Sequence, residues 1–222
     1  MQRPQLVLFD VNETLSDLSP LAARFDRVGA APELARVWFV SVLRDGIALA
    51  AAGTSAPFGE VAVETLRGLL APVVGSDGLE DAVQQVMSAF TGLDVHPDVP
   101  AGVQALADRG LRLVTLSNGS TSVAEGLLGR AGLLDRFERL LSVERAGIWK
   151  PAPGAYRYGL TECGASAQEA ILVAVHPWDI DGAGRAGMAT AWLNRDGARY
   201  PAFFRPADVE VDTLGALAEV LH

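Results

Sequence analysis

Residues 6–9, Leu-Val-Leu-Phe, form an unbroken apolar run of strand length, and the next residue is a carboxylate, Asp10. A short run without polar alternation reads as a strand buried on both faces. From about residue 15 to about 96 the spacing becomes helical. Leu34, Val37, Trp38, Val42, Ile47 and Leu49 recur at helical intervals and predict a helix over 32–52. A break follows at Gly53-Thr54-Ser55-Ala56-Pro57, with Ser55 a candidate cap, and 58–70 and 79–90 read as two more amphipathic helices. Beyond residue 97 the pattern alternates. Strands are expected at 111–116, 139–143, 171–175, 190–193 and 209–211, and helices at 103–109, 123–131, 155–162, 180–186 and 213–221. Such alternation means an α/β fold, a parallel sheet covered by helices on both faces. The first strand must join that sheet, because a lone strand cannot bury itself. The expected organisation is a core of residues 1–14 and 97–222, with residues 15–96 inserted as a helical cap over the carboxyl ends of the strands.

Half of the 222 residues are hydrophobic, so a large core is within reach. The net charge of −9, without any Lys/Arg-rich run, argues against nucleic acid as a partner. Cys163 stands alone, which excludes a disulfide framework and a cysteine metal site and fits a reducing cytoplasm. The apolar run at Leu6 is too short for a signal peptide, and no segment approaches the length of a membrane span. His96, in a proline-flanked hinge, and His222, at the terminus, suggest no role.

The chemistry concentrates where strands end: Asp10, Ser117-Asn118, Lys150 and Asp179. Open α/β sheets place their sites outside the carboxyl ends of their strands. Each residue alone has an ordinary reading: Asp10 as a turn residue, Ser117-Asn118-Gly119 as a turn and cap, Lys150 as solvated, Asp179 as a helix cap. Together, in this order on one sheet, they read as one crevice with Asp10 as nucleophile. His176 is either a neutral residue capping its loop or a group that titrates in the crevice, as a base or a donor to a substrate carboxylate.

The segment Phe9-Asp10-Val11-Asn12-Glu13-Thr14-Leu15, with Leu116-Ser117-Asn118-Gly119, Lys150-Pro151 and Asp179 before Gly182-Ala183, resembles the four motifs of the haloacid dehalogenase superfamily. Within it, residues 111–120, Leu140-Leu141-Ser142-Val143, Trp178-Asp179 and Trp192-Leu193-Asn194-Arg195 are most similar to the type II 2-haloacid dehalogenases. The resemblance covers nearly the whole chain and implies a Rossmann-like, doubly wound core with a helical cap. Most of the superfamily are magnesium-dependent phosphatases with a second Asp two residues after the nucleophile. Asn12 stands there in this chain, and Ala174-Val175-His176 offers no metal carboxylate. The resemblance therefore implies no metal and no cofactor. It implies that Asp10 displaces halide from a small 2-haloacid through an aspartyl ester. Lys150 would then orient Asp10, Asp179 would serve the hydrolytic water, Thr14 would support Asp10, and Ser117 and Asn118 would bind the substrate carboxylate. Asn12 and Trp178 would line the substrate site with Phe39, and Tyr156 would do so too or be a core tyrosine. The chain departs from that branch at Asn12 for Tyr, at Phe39 for the halide-binding Arg after the cap tryptophan, and at Ala174 and His176 for Ser and Asn. Arg36, three positions before Phe39, is either a substitute cation or a solvated surface residue. The alternatives are a hydrolase of the same fold acting on another small acid or a phosphate ester, or a catalytically silent homologue. The apolar cap helices leave room for a homodimer, and the resemblance points the same way.

Overall fold

The computed structural model describes residues 4–221, so His222 lies outside the described residues. Six parallel strands form one sheet: β1 (Leu6–Phe9), β2 (Arg112–Ser117), β3 (Arg139–Ser142), β4 (Ala170–Ala174), β5 (Ala189–Leu193) and β6 (Val209–Val211). Their order is β3-β2-β1-β4-β5-β6, the doubly wound arrangement. β1 lies between β2 and β4, and Phe9 pairs in register with Thr115 and Val173. Asp10, Ser117 and the turn after Ala174 therefore arrive at one edge of the sheet, where the winding reverses. That switch point is where such sheets bind ligands.

Alternate residues of β1 feed two cores. Val7 and Phe9 pack with α4 (Val99–Asp108), α5 (Thr121–Arg130) and α8 (Leu214–Val220) on one face. Leu6 and Leu8 pack with α6 (Pro153–Cys163) and α7 (Pro177–Arg185) on the other. Both faces are apolar because both are covered.

Between β1 and α4 lie α1 (Leu21–Arg27), α2 (Leu34–Ala51) and α3 (Phe58–Thr91), which close around a third apolar cluster containing Trp38, Phe39, Phe58, Leu66 and Phe90. The insertion leaves and returns through a narrow antiparallel bridge of Ser16 with Val95. The two helices expected at 58–70 and 79–90 are both present, meeting within α3 at Gly75, whose φ of 71° and ψ of 173° break the helix three residues after Pro72. Proline removes a helical donor, and glycine takes the left-handed angle at little cost. Ser55 does not cap α3: the residue before that helix is Pro57, and no side chain caps it. The other elements sit within a few residues of expectation. α4 starts earlier than expected because Val99 and Pro100 suit a first turn, where a missing N–H costs nothing.

Candidate active site

Asp10 leaves β1 with its backbone N–H still donating to Val173 O, 3.0 Å, so the sheet fixes its carboxylate. The buried Lys150 ammonium lies between two carboxylates: it donates to Asp10 Oδ1 at 2.9 Å and to Asp179 Oδ2 at 2.6 Å. Tyr156 donates to Asp179 Oδ1 at 2.7 Å. The Thr14 hydroxyl donates to Asp10 Oδ2 at 2.7 Å, and its oxygen accepts from Val175 N–H at 3.1 Å. That second bond commits the single Thr14 proton to Asp10.

Local sequence explains these placements. Asp179 lies in the first turn of α7, where the helix field favours a carboxylate. Gly182 follows one turn later, and a Cβ there would collide with Tyr156 Oη and Pro151. The missing side chain is what lets Tyr156 reach Asp179. Asn118 turns toward the loop carrying Lys150: its Oδ1 accepts from Lys150 N–H at 2.9 Å, and its amide donates to Lys150 O at 3.5 Å. Ser117 Oγ accepts from Gly119 N–H at 2.9 Å. Asn12 is buried, and its amide lies beside Gly119.

Charge in this buried site is mutually sustained. Burial alone would raise the Asp10 carboxyl, but Lys150 and His176 outweigh it and hold Asp10 well below the usual carboxylate range. Burial opposes the Lys150 charge, and Asp10 and Asp179 overcome it and raise the ammonium. Asp179 is pushed up, chiefly by burial and also by the nearby Asp10 charge. Burial and the Asp179 charge raise the Tyr156 phenol well above its ordinary value.

His176 belongs to the same network. Its Nδ1 lies 3.2 Å from Asp10 Oδ2 and its Nε2 2.8 Å from Glu13 Oε2. Its ring is flanked by Trp178, at 4.9 Å between centroids, and by Phe39, at 6.5 Å. Burial works against its charge, but the bonds to Asp10 and Glu13 raise it to about 9. The reading of His176 as a neutral loop cap is corrected: its side chain caps nothing and pairs with two carboxylates. Glu13 was legible in the sequence only as one letter of a motif. Its distinguishing feature is conformational. Glu13 is the one described non-glycine residue with positive φ, 62°, which costs roughly 1–2 kcal/mol. Its backbone is held by His96 Nε2 on its carbonyl, 3.0 Å, and by Ser16 Oγ on its N–H, 3.3 Å.

The cap side differs. Phe39 is buried and faces His176, while Arg36 is exposed. Arg36 and Glu13 line two cavities, of about 540 and 290 Å³; Phe39 lines the first and His176 the second. A magnesium ion does not suit these donors. It needs an octahedron of hard oxygens, whereas an ammonium occupies the space between Asp10 and Asp179. Among the described residues no three His, Cys, Asp or Glu side chains cluster as ligands.

Known proteins resemble the chain in sequence and in fold. A family model of haloacid dehalogenase-like hydrolases matches residues 4–187. The chain is 32% identical over 142 residues to haloacetate dehalogenase H-2 of Moraxella sp. (strain B), covering 64% of this chain and 63% of that protein. It is 30% identical to (S)-2-haloacid dehalogenase 4A of Burkholderia cepacia, over 96% of this chain and 93% of that one. The solved structure of L-2-haloacid dehalogenase from Xanthobacter autotrophicus with chloropropionic acid covalently bound superposes with a TM-score of 0.86, at 25% identity and 98% coverage of both chains. By motif, architecture and full-length similarity, the chain belongs to the haloacid dehalogenase-like hydrolases.

Proposed function

We propose that the chain hydrolyses small 2-haloacids without a metal, with Asp10 as nucleophile. The observation that carries this reading is the Lys150 ammonium held between Asp10 and Asp179. It keeps Asp10 ionised at neutral pH and supplies the positive charge that a metal supplies elsewhere. Asp10 attacks C2, the carbon–halogen bond breaks, and the halide leaves with the bonding pair. Water then attacks the ester carbonyl with Asp179 as base, a carboxyl that burial raises above its ordinary value. Splitting the displacement into two steps avoids direct attack by water on C2. Ser117, buried at the end of β2, is the proposed donor to the substrate carboxylate, and Asn118 holds the loop that carries Lys150. Similarity to a protein whose structure holds chloropropionic acid covalently bound favours the ester route. Residues 15–96 would then act as the cap.

The deciding experiment is halide release from 2-chloro-, 2-bromo- and fluoroacetate or propionate, followed by a single turnover in heavy-oxygen water. Label is expected in Asp10 before product, and chelation is expected to leave the rate unchanged. Label entering product directly would reject the ester. Halide release from none of the acids would assign the site to another small acid. Val37 and Val40, exposed on α2, favour a homodimer through the cap, which light scattering would test. Among the described residues no helix is long and apolar enough to cross a membrane.

A further inference from the structure

We propose that Thr14 and His176 form the oxyanion site for hydrolysis of the Asp10 ester, and that Glu13 is the positioning residue that keeps His176 charged while the ester is present. This inference rests on the ester route proposed above.

Lone pairs decide which Asp10 oxygen attacks. A carboxylate has about two acceptor positions on each oxygen. Asp10 Oδ2 has both engaged, by Thr14 at 2.7 Å and His176 at 3.2 Å. Oδ1 accepts from Lys150 and keeps one pair free. The free pair belongs to the attacking oxygen, so Oδ1 joins C2 and Oδ2 becomes the ester carbonyl. When water adds to Cγ, negative charge develops on Oδ2. Two donors already face that atom, which is the geometry an oxyanion site requires.

Proton and electron balance is straightforward. Water adds through its oxygen and gives one proton to Asp179. The Cγ–Oδ1 bond then breaks, and the departing alkoxide takes that proton to become the 2-hydroxyacid. Asp10 keeps Oδ2 and the water oxygen and releases the remaining proton to solvent. His176 transfers nothing: both its nitrogens face carboxylates, which only accept, so both nitrogens donate and the ring is an imidazolium.

The second carboxylate now has a purpose. Forming the ester removes the Asp10 charge, and with it one of the two carboxylates that face His176. Glu13 remains. The groups around the ring are Asp10 at the end of β1, Glu13 on the following loop, Phe39 from α2 and Trp178 from α7. The cavity on which it opens adds Arg36, Arg195, Asp196 and His96. Glu13 holds its place in a backbone conformation that glycine takes freely, so its side chain is retained against local preference.

The test separates the two half-reactions in wild type, Glu13→Gln, Glu13→Gly and His176→Asn. Halide release in the first turnover is measured by rapid mixing, and accumulated ester by intact-protein mass. Both Glu13 variants are expected to keep the halide burst, accumulate ester and hydrolyse it slowly. An imidazole returned to its ordinary value of about 6.5 loses about tenfold at pH 7.5 and about a hundredfold at pH 8.5. Wild type is expected to hold its hydrolysis rate over that range, and His176→Asn to lose rate equally at every pH. Glu13→Gly relieves the backbone, so its failure would not be a folding failure. Unchanged ester hydrolysis in the Glu13 variants, or a burst slowed as much as turnover, would overturn the inference and leave the ester route intact. Absence of halide from wild type would remove both.

Discussion

On the core side of the crevice Asp10, Lys150, Asp179 and Tyr156 are buried and bonded to one another. On the cap side Trp38 meets Phe39 edge to face, Phe58 tilts against Phe39, and the nearby Arg36 is exposed. Charges survive burial only when paired and hydrogen-bonded, and the strand ends provide that pairing with rigid backbone. The cap helices are joined to the core through a narrow bridge at Ser16 and Val95, and α2 presents rings. The contrast teaches where rate and selectivity arise. In the proposed reaction bond making and breaking belong to the core, and the apolar rings of the cap lower the polarity around the charges beneath them.

The contrast breaks most visibly at Asp10, the proposed nucleophile. Asp10→Asn keeps the shape and removes the charge, and turnover is expected to fall by roughly 10⁶-fold, as when a covalent nucleophile is removed elsewhere. Circular dichroism is expected to stay unchanged. Residual turnover within about a hundredfold of wild type would place the reaction on another group. Lys150→Met comes next. It retains most of the stem and leaves Asp10 and Asp179 facing each other without a cation, with an expected loss of about 10²–10³-fold in kcat. A near-normal kcat would mean that the ammonium is structural.

His176 gives a smaller, pH-dependent effect. Its folded value is raised from 6.5 to about 9, so its stabilisation is fully present below 6.5 and lost as pH rises through about 9. Asp10 is depressed, so its contribution is present above the ordinary carboxylate value and lost only in strong acid. The melting temperature of wild type is expected to exceed that of His176→Asn most at pH 6, with the gap narrowing by pH 10. A gap independent of pH would assign the difference to ring packing with Phe39 and Trp178 instead.

The fold was legible because punctuation and periodicity agree. The run at Leu6, the stops at Gly110 and Gly132 and the alternation after residue 97 each specify an element locally, and covering both faces of the sheet leaves few arrangements. The break at Gly75 was legible as a gap between two helical spacings, at 58–70 and 79–90, though its exact residue was not. Asp10, Lys150 and Asp179 could be named from their positions at strand and loop ends, but their shared ammonium could not, since it joins residues far apart in the chain. The same distance hid Glu13 and His176, separated by more than 160 positions and joined only when β1 and β4 pair. Asn118 shows the opposite limit: its type suits substrate binding, while its bonds go to the Lys150 backbone.

The finest test of the contrast is Arg36. Were it the cation that receives the halide, it would interact most strongly when charge develops in the transition state, and Arg36→Ala would lower kcat by one to two decades. The geometry argues otherwise. Arg36 is exposed and lines the same two cavities as Glu13, whereas Phe39 and His176 occupy the inner position on that side. An exposed cation beside an entrance acts through its field, attracting an anionic acid in a protein of net charge −9. Arg36→Ala is therefore expected to leave kcat within about twofold and to lower kcat/KM by up to about tenfold at low salt. That loss is expected to shrink at high ionic strength, where the Debye length falls to about 3 Å. Measuring both constants for 2-chloropropionate at two salt concentrations distinguishes the cases. A salt-independent fall in kcat would move the halide cation onto the cap and end the division of labour between the two walls.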